Sequence, residues 1–257
     1  MDLGLKGKVA VVTGGTQGIG RATALRLAGE GANVAICSRT QAAVEETAAA
    51  IGKLGVQGLG VQADMSKAAD VERFMKAVIE RFGRIDILVN NAGTSKRGAF
   101  LELTDEEWSA DIELKVFGAI RCTRLAVPHM KSQGGGRIIN ITISSAKQPG
   151  AQSYPTSVSR AAGLAITKAL SKEFAADNIL VNTICIGKIK SGQHERRFTK
   201  DGTGADKYYA NMAKDIPMQR VGEAEEVANV ITFLASGAAS YVTGSSINLD
   251  GGLSGVL

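Results

Sequence analysis

Residues 8–20 read KVAVVTGGTQGIG: a strand signal, a glycine turn and a helix signal in succession. Val9, Ala10, Val11 and Val12 form a short apolar run of small and β-branched residues, the pattern of a strand buried on both faces. The run stops at Thr13 and Gly14. A helical apolar period opens at Gly18 and continues through Ile19, Ala22, Leu25 and Leu27. The first N–H groups of a helix are unpaired and lie at the positive end of its dipole, so this arrangement makes an anion site. Glycine at 14, 18 and 20 removes the β-carbons that would keep a pyrophosphate away from the backbone.

The same alternation runs along the chain. Strand signals recur at 33–37, 57–62, 86–90, 137–142, 180–185 and 246–249, and helical periods at 41–54, 67–82, 155–176 and 224–235. Thr104-Asp105-Glu106-Glu107 reads as a capping box. It opens a helical region that reaches about Lys131 in two pieces and ends at the glycines 134–136. Strands separated by helices predict an α/β fold, a doubly wound parallel sheet of seven strands covered on both faces. Residues 187–220 lack clear periodicity and are rich in Gly, Lys and Arg; a long irregular segment in a compact domain is usually functional.

A length of 257 residues suits one large core and is short for two, so a single domain over 1–257 is expected. No 18-residue apolar run exists, and MDLGLKGK lacks the apolar centre of a signal peptide, so no membrane association is expected. Cys37, Cys122 and Cys185 are odd in number and lie in apolar segments, which predicts buried free thiols and a cytoplasmic location. The formal charge of +5 comes without a dense Lys/Arg block, so no nucleic-acid partner is expected, while an anionic cofactor or substrate suits it. No metal site is expected.

TGGTQGIG at 13–20, NNAG at 90–93, the DGG at 250–252 and the long helix between strands five and six together resemble the short-chain dehydrogenase/reductase family over nearly the whole chain. The resemblance implies a Rossmann-type sheet, a nicotinamide cofactor, a small-molecule substrate and a homotetramer. It implies cofactor contacts from Gly14, Thr16, Gln17, Gly18, Ile19 and Gly20 in the first turn. Asp64 and Met65 would follow the third strand at the adenine, and Asn91, Ala92 and Gly93 would lie beside the fourth strand. Gly187, Ile189 and Ser191 would meet the nicotinamide carboxamide. The second strand ends in Ser38 and Arg39, with no carboxylate to bind a ribose 2′-hydroxyl. Ser38 and the planar Arg39 fork can both hold a 2′-phosphate, which favours NADP(H) over NAD(H).

The resemblance also implies a catalytic set: a tyrosine that moves the carbonyl proton, a lysine four residues on that holds the ribose, a serine that orients the substrate and an asparagine on the preceding helix. Aligned without gaps, those positions fall on Thr156, Arg160, Ile143 and Glu113. Threonine has no usable pKa near neutrality, arginine is not deprotonated and isoleucine donates nothing. Arg160 can still bond the ribose. A rearranged site using Tyr154, Ser144 or Ser145 is one alternative, although a two-residue offset on a helix turns a side chain about 200° away; the other is that Tyr154 is a loop aromatic lining the cleft. Glu113 is a candidate acid or base, or a partner for Arg160. His129, near a helix end, reads as structural, and His194 as a loop residue or a substrate contact.

Three functions are therefore open. The first is an NADP(H)-dependent oxidoreductase of a carbonyl or alcohol, similar to 3-oxoacyl-carrier-protein reductases, with a rearranged or impaired proton path. The second is a non-catalytic NADP(H)-binding protein or partner subunit. The third is a non-redox enzyme with Glu113 as base. Lys188, Lys190, Arg196, Arg197, Lys200, Lys207 and Lys214 mark 187–220 as a lid over an anionic or acyl-thioester substrate, or as a solvated loop.

Overall fold

The computed structural model describes residues 2–200, 202 and 204–256. The apolar run after Lys8 is strand β1 (Val9–Thr13), buried throughout. Its side chains alternate between two cores: Val9 and Val11 enter one cluster, Ala10 and Val12 the other. Successive strand residues point to opposite faces, and both faces are covered, so the strand is apolar at every position rather than at every second one.

The elements follow in the predicted alternation: α1 (Gly18–Gly29), β2 (Asn33–Ser38), α2 (Gln41–Gly52), β3 (Gly58–Gln62), α3 (Ala68–Phe82) and β4 (Ile87–Asn90). A two-residue β5 (Arg97–Gly98) precedes α4 (Asp105–Ile112) and α5 (Gly118–Ser132). Then come β6 (Gly136–Ile143), β7 (Tyr154–Pro155), α6 (Thr156–Glu173), β8 (Ile179–Ile186), α7 (Gly192–Lys200), α8 (Ala205–Ala213), α9 (Ala224–Ala235) and β9 (Ser246–Leu249). Seven strands form a parallel sheet in the order β3-β2-β1-β4-β6-β8-β9. Strand order reverses between β1 and β4, and a crevice opens beyond the carboxyl ends of strands at such a point. β5 and β7 pair antiparallel outside this sheet. On one face α1 and α9 supply Leu27, Val227 and Ile231; on the other α3 and α5 supply Phe74, Val78, Cys122 and Met130.

Thr104 does cap α4: its Oγ1 accepts from the Glu107 N–H at 3.3 Å, and Glu107 returns the bond to the Thr104 N–H at 3.2 Å. The two pieces of the following helical region are joined by a π-helical turn over Glu113–Phe117. Its wider spiral turns later side chains away from the faces a 3.6-residue period assigns. The segment 187–220 is less irregular than its composition suggests, because it contains α7 and α8. Neither has an apolar stripe to read: α7 is GQHERRFTK, and α8 buries no residue. The side chains of Arg196, Arg197 and Lys200 lie outside the described residues. All three cysteines are buried and free. Among the described residues no helix is long and apolar enough to cross a membrane.

Phe74 is fully buried between α3 and the sheet. Phe74→Ala should lower unfolding free energy by about 3–5 kcal/mol in denaturant titrations. Arg73→Ala, which removes an exposed i,i+3 pair with Asp70, should cost under about 1 kcal/mol. Equal losses would contradict the packing described.

Candidate functional site

The carboxyl ends of β1 and β4 are tied to each other. The Thr13 hydroxyl accepts from the N–H groups of Asn91 and Ala92, both at 3.0 Å. The Asn91 amide donates to the carbonyls of Thr13 at 2.9 Å and Gly14 at 3.1 Å. Gly20 packs against this clamp: a β-carbon there would lie 2.2 Å from the Gly14 oxygen and 2.5 Å from the Asn91 amide nitrogen. Any other residue would push the first turn of α1 off the loop, so the N–H groups at 18–20 stay directed into the crevice.

The crevice is a cleft of about 1190 Å³. Gly14, Thr16, Gln17, Gly18, Ile19 and Gly20 line its phosphate end, and Ser38 and Arg39 close it beyond β2. Arg39 is exposed, and among the described residues no carboxylate pairs with it. Asp64 and Met65 lie on the wall after β3; the Asp64 carboxylate accepts from the N–H and hydroxyl of Ser66 at 3.0 and 2.8 Å. Asn91, Ala92, Gly93, Gly187, Ile189 and Ser191 line the remainder. The residues expected to hold a dinucleotide are thus brought into one cleft. Ser145 Oγ and Arg160 Nε, on two residues of its wall, are buried without a hydrogen-bond partner in the protein. Such orphaned donors suit a ligand. Cradle and donors together fit a nicotinamide dinucleotide.

Ile143, Ser144, Ser145, Thr156, Glu113 and Arg160 also line the cleft. Tyr154 does not. It sits on β7 in an aromatic cluster, its ring 5.7 Å from Phe100 and 6.1 Å from Trp108. The rearranged site is therefore corrected in one respect: Ser144 and Ser145 line the cleft, but Tyr154, on β7, packs with Phe100 and Trp108 and is not among the lining residues. Glu113 is corrected too. It is not a partner for Arg160, because its carboxylate accepts from Arg121 at 2.8 Å. Arg160 instead donates to the Ile141 carbonyl and packs over Gly93, where a β-carbon would lie 2.5 Å from a guanidinium nitrogen. The anionic-substrate expectation loses Lys188 and Lys190, which are ion-paired with Asp215 and Glu223. His194 lines the cleft and shares a hydrogen bond with the Tyr208 hydroxyl at 3.0 Å.

The residue that reaches Thr156 from the helix before β6 is Lys115, which the sequence reading missed. Its ammonium group donates to Thr156 Oγ1 at 2.7 Å and forms a buried ion pair with Asp111. The side chains of Lys115 and Asp111 are 1% and 2% exposed. Ser159 donates to the other Asp111 oxygen at 2.6 Å. Burial lowers Lys115 to about 8; the Arg160 charge pushes the same way, and Asp111 opposes both. Burial also pulls Arg160 down to about 10, with Asp111 again opposing. At neutral pH both remain protonated, two cations against one carboxylate beside the cleft.

Comparison with known proteins agrees with this fold. Residues 14–254 match the family described as enoyl-(acyl carrier protein) reductase. The 3-oxoacyl-[acyl-carrier-protein] reductase FabG of Staphylococcus epidermidis is 36% identical over 255 residues, covering 96% of this chain and 98% of its own. The 3-oxoacyl-[acyl-carrier-protein] reductase of Synechocystis is 36% identical over 253 residues, covering 97% and 98%. The L-sorbose reductase of Gluconobacter frateurii, solved with NADPH and L-sorbose, superposes with a TM-score of 0.95 at 36% identity over 100% of both chains. The chain belongs to the short-chain dehydrogenase/reductase family. Within this short-chain dehydrogenase/reductase the side chain from this helical region that bonds the Thr156 hydroxyl is Lys115, while Glu113 pairs with Arg121. The signal available in the sequence was the i,i+4 pair Asp111 and Lys115.

Between about pH 8 and 10.5 the unfolded chain holds a proton on Lys115 that the folded protein has released. Folding stability from this group therefore rises with pH over that interval. Relative to Lys115→Met, the wild-type protein should gain roughly 3 kcal/mol from pH 7.5 to 10.5, taking 1.36 kcal/mol per pKa unit. Parallel stability curves for the two proteins in denaturant titrations would contradict it.

Proposed function

We propose that this chain is an NADP(H)-dependent reductase of a ketone, with a proton-transfer site rearranged from that of its family. The observation that carries the reading is the continuity of the cleft: it runs from Ser38 and Arg39, past the α1 N-terminus and Gly93, to Thr156 and Arg160. A bound reduced nicotinamide supplies hydride to a carbonyl carbon; the chain binds and orients the reactants and supplies the proton. Ser38 and Arg39 hold the 2′-phosphate, α1 the pyrophosphate, and Arg160 the end of the cofactor beside Gly93. Arg160 and Lys115 add positive potential where the carbonyl oxygen gains negative charge.

The substrate is of the 3-oxoacyl thioester or ketose kind, since named relatives are 3-oxoacyl-[acyl-carrier-protein] and L-sorbose reductases. Residues 187–220 act as the substrate lid of a single domain spanning 1–257; His194, Tyr208 and Met212 from this segment line the cleft. The protein works in the cytoplasm as a homotetramer, in which Phe117 and Val158, each 43% exposed on the surface near α5 and α6, are covered. A second reading, cofactor binding without turnover, is favoured by Ile143 and Thr156, neither of which is an ordinary acid.

Calorimetric titration should show tighter binding of NADPH than of NADH, and Arg39→Asp should reverse the order. Equal affinities in the unmutated protein would defeat the cofactor assignment. NADPH oxidation with L-sorbose and a 3-oxoacyl thioester tests the reductase reading. Tight NADPH binding without turnover of any ketone would select the second.

A further inference from the structure

Thr156 is placed as a donor. Its Oγ1 accepts from the Lys115 ammonium at 2.7 Å and from the Lys96 N–H at 3.2 Å. A hydroxyl has two lone pairs and one proton. With both lone pairs occupied, that proton must be donated, and its one acceptor among the described residues is Asp111 Oδ1, at 3.5 Å. That contact is at the limit of a hydrogen bond. Thr156 is only 2% exposed, yet it lines the cleft. The long 3.5 Å contact to Asp111 leaves that proton weakly held at the cleft wall.

Alone, threonine is too weak an acid to protonate anything. Behind it stands a group able to replace the proton in the same step. Lys115 and Asp111 form a charged pair sealed between α4, the π turn and α6, where one cation already holds the carboxylate. The groups facing Lys115 are Asp111 from α4 and, from α6, Thr156 and Arg160. Glu113, on its own turn, is engaged by Arg121. Burial and the Arg160 charge make the Lys115 ammonium a better acid than one in water. A lysine in this setting does more than fill space: an ion pair removed from water costs more than an apolar pair of the same volume.

We propose that Thr156 is the catalytic proton donor and that Lys115, held by Asp111, is the group that reprotonates it. This rests on the reductase reading above. As hydride from the reduced nicotinamide cofactor forms the new C–H bond, the carbonyl oxygen takes the Thr156 hydroxyl proton. Thr156 Oγ1 takes a proton from Lys115 Nζ in concert, so no free threonine alkoxide forms. Lys115 is left neutral and recovers a proton from water. One hydride and one proton enter the substrate, giving an alcohol and oxidised cofactor. Ser159 and Asp111 position the lysine.

The test compares wild type, Thr156→Val, Lys115→Met and Tyr154→Phe, with two readouts. The first needs no turnover: nitrogen NMR of 15N-lysine-labelled protein, in which the Lys115 signal is the one missing from Lys115→Met. It should titrate near pH 8, and its midpoint should move in Thr156→Val. The second is ketone reduction as a function of pH. Wild-type kcat should fall above about pH 8 as the acid is lost. Thr156→Val should lower kcat at least about 100-fold with NADPH affinity unchanged. Lys115→Met should lower kcat and abolish the alkaline limb, whereas a purely structural lysine would lower stability and leave that limb in place. Should Lys115→Met fail to fold, Lys115→Arg identifies the missing lysine signal, and Thr156→Val with the titration decides. An ordinary lysine midpoint near 10.5, a Thr156→Val protein with wild-type kcat, or loss of activity in Tyr154→Phe overturns the relay and leaves the reductase reading standing. NADPH binding with no reduction of any ketone by wild type removes both.

Discussion

The Asn91 side chain holds the structure's two halves in register where function needs them. Its amide bonds two consecutive carbonyls at the end of β1, and the Thr13 hydroxyl returns two bonds to the start of the loop after β4. The four bonds fix the glycine turn against the neighbouring strand at the point where strand order reverses. At the opposite end of the same strands Asp86 makes a matching tie, accepting from the Val9 N–H at 2.9 Å and from both ends of the Arg84 fork at 2.8 and 2.6 Å. With both ends of β1 anchored to β4, the α1 N-terminus cannot drift from Gly93 and Arg160. The cleft is therefore preformed, and little ordering entropy is charged against cofactor binding.

A second constraint lies deeper. The Asp111–Lys115 pair is withdrawn from water between three helical segments, and its neighbours are polar in the right sense: Ser159 on one carboxylate oxygen, Thr156 on the ammonium. Such a pair is weak evidence for stability, because desolvation offsets most of the Coulomb attraction. A nearby cavity of about 30 Å³, bordered by Lys115, Ser159 and Arg160 and by Asn90 and Asn140, keeps polar groups beside the pair. Here a charge arrangement costly to folding borders the cleft, the kind of placement that marks a functional-site candidate.

How far the chain could be read beforehand follows from which interactions are local. The β1 run, the glycine turn and the Ser38-Arg39 end of β2 are contiguous, and each lies where its pattern placed it. Lys115 and Tyr154 were not legible for the same kind of reason. Each depends on a contact distant in the chain: Lys115 with Thr156 for one, Tyr154 with Phe100 and Trp108 for the other. A fixed helical period gives no warning of either. The segment after β8 was hidden differently, since α7 and α8 are too polar to show a stripe. The alignment of Thr156 and Arg160 needed no geometry, whereas the contact of Lys115 with Thr156 is visible only in the fold.

The most direct measurement is a crystal structure of the chain with NADP+ and a non-reacting analogue of a ketone it reduces. The adenosine 2′-phosphate should lie between Ser38 and Arg39, and the analogue's oxygen within about 3 Å of Thr156 Oγ1, the reach a proton donor needs. An oxygen bound instead by Tyr154 or Glu113, with Thr156 turned toward Asp111, would contradict the role proposed for Thr156.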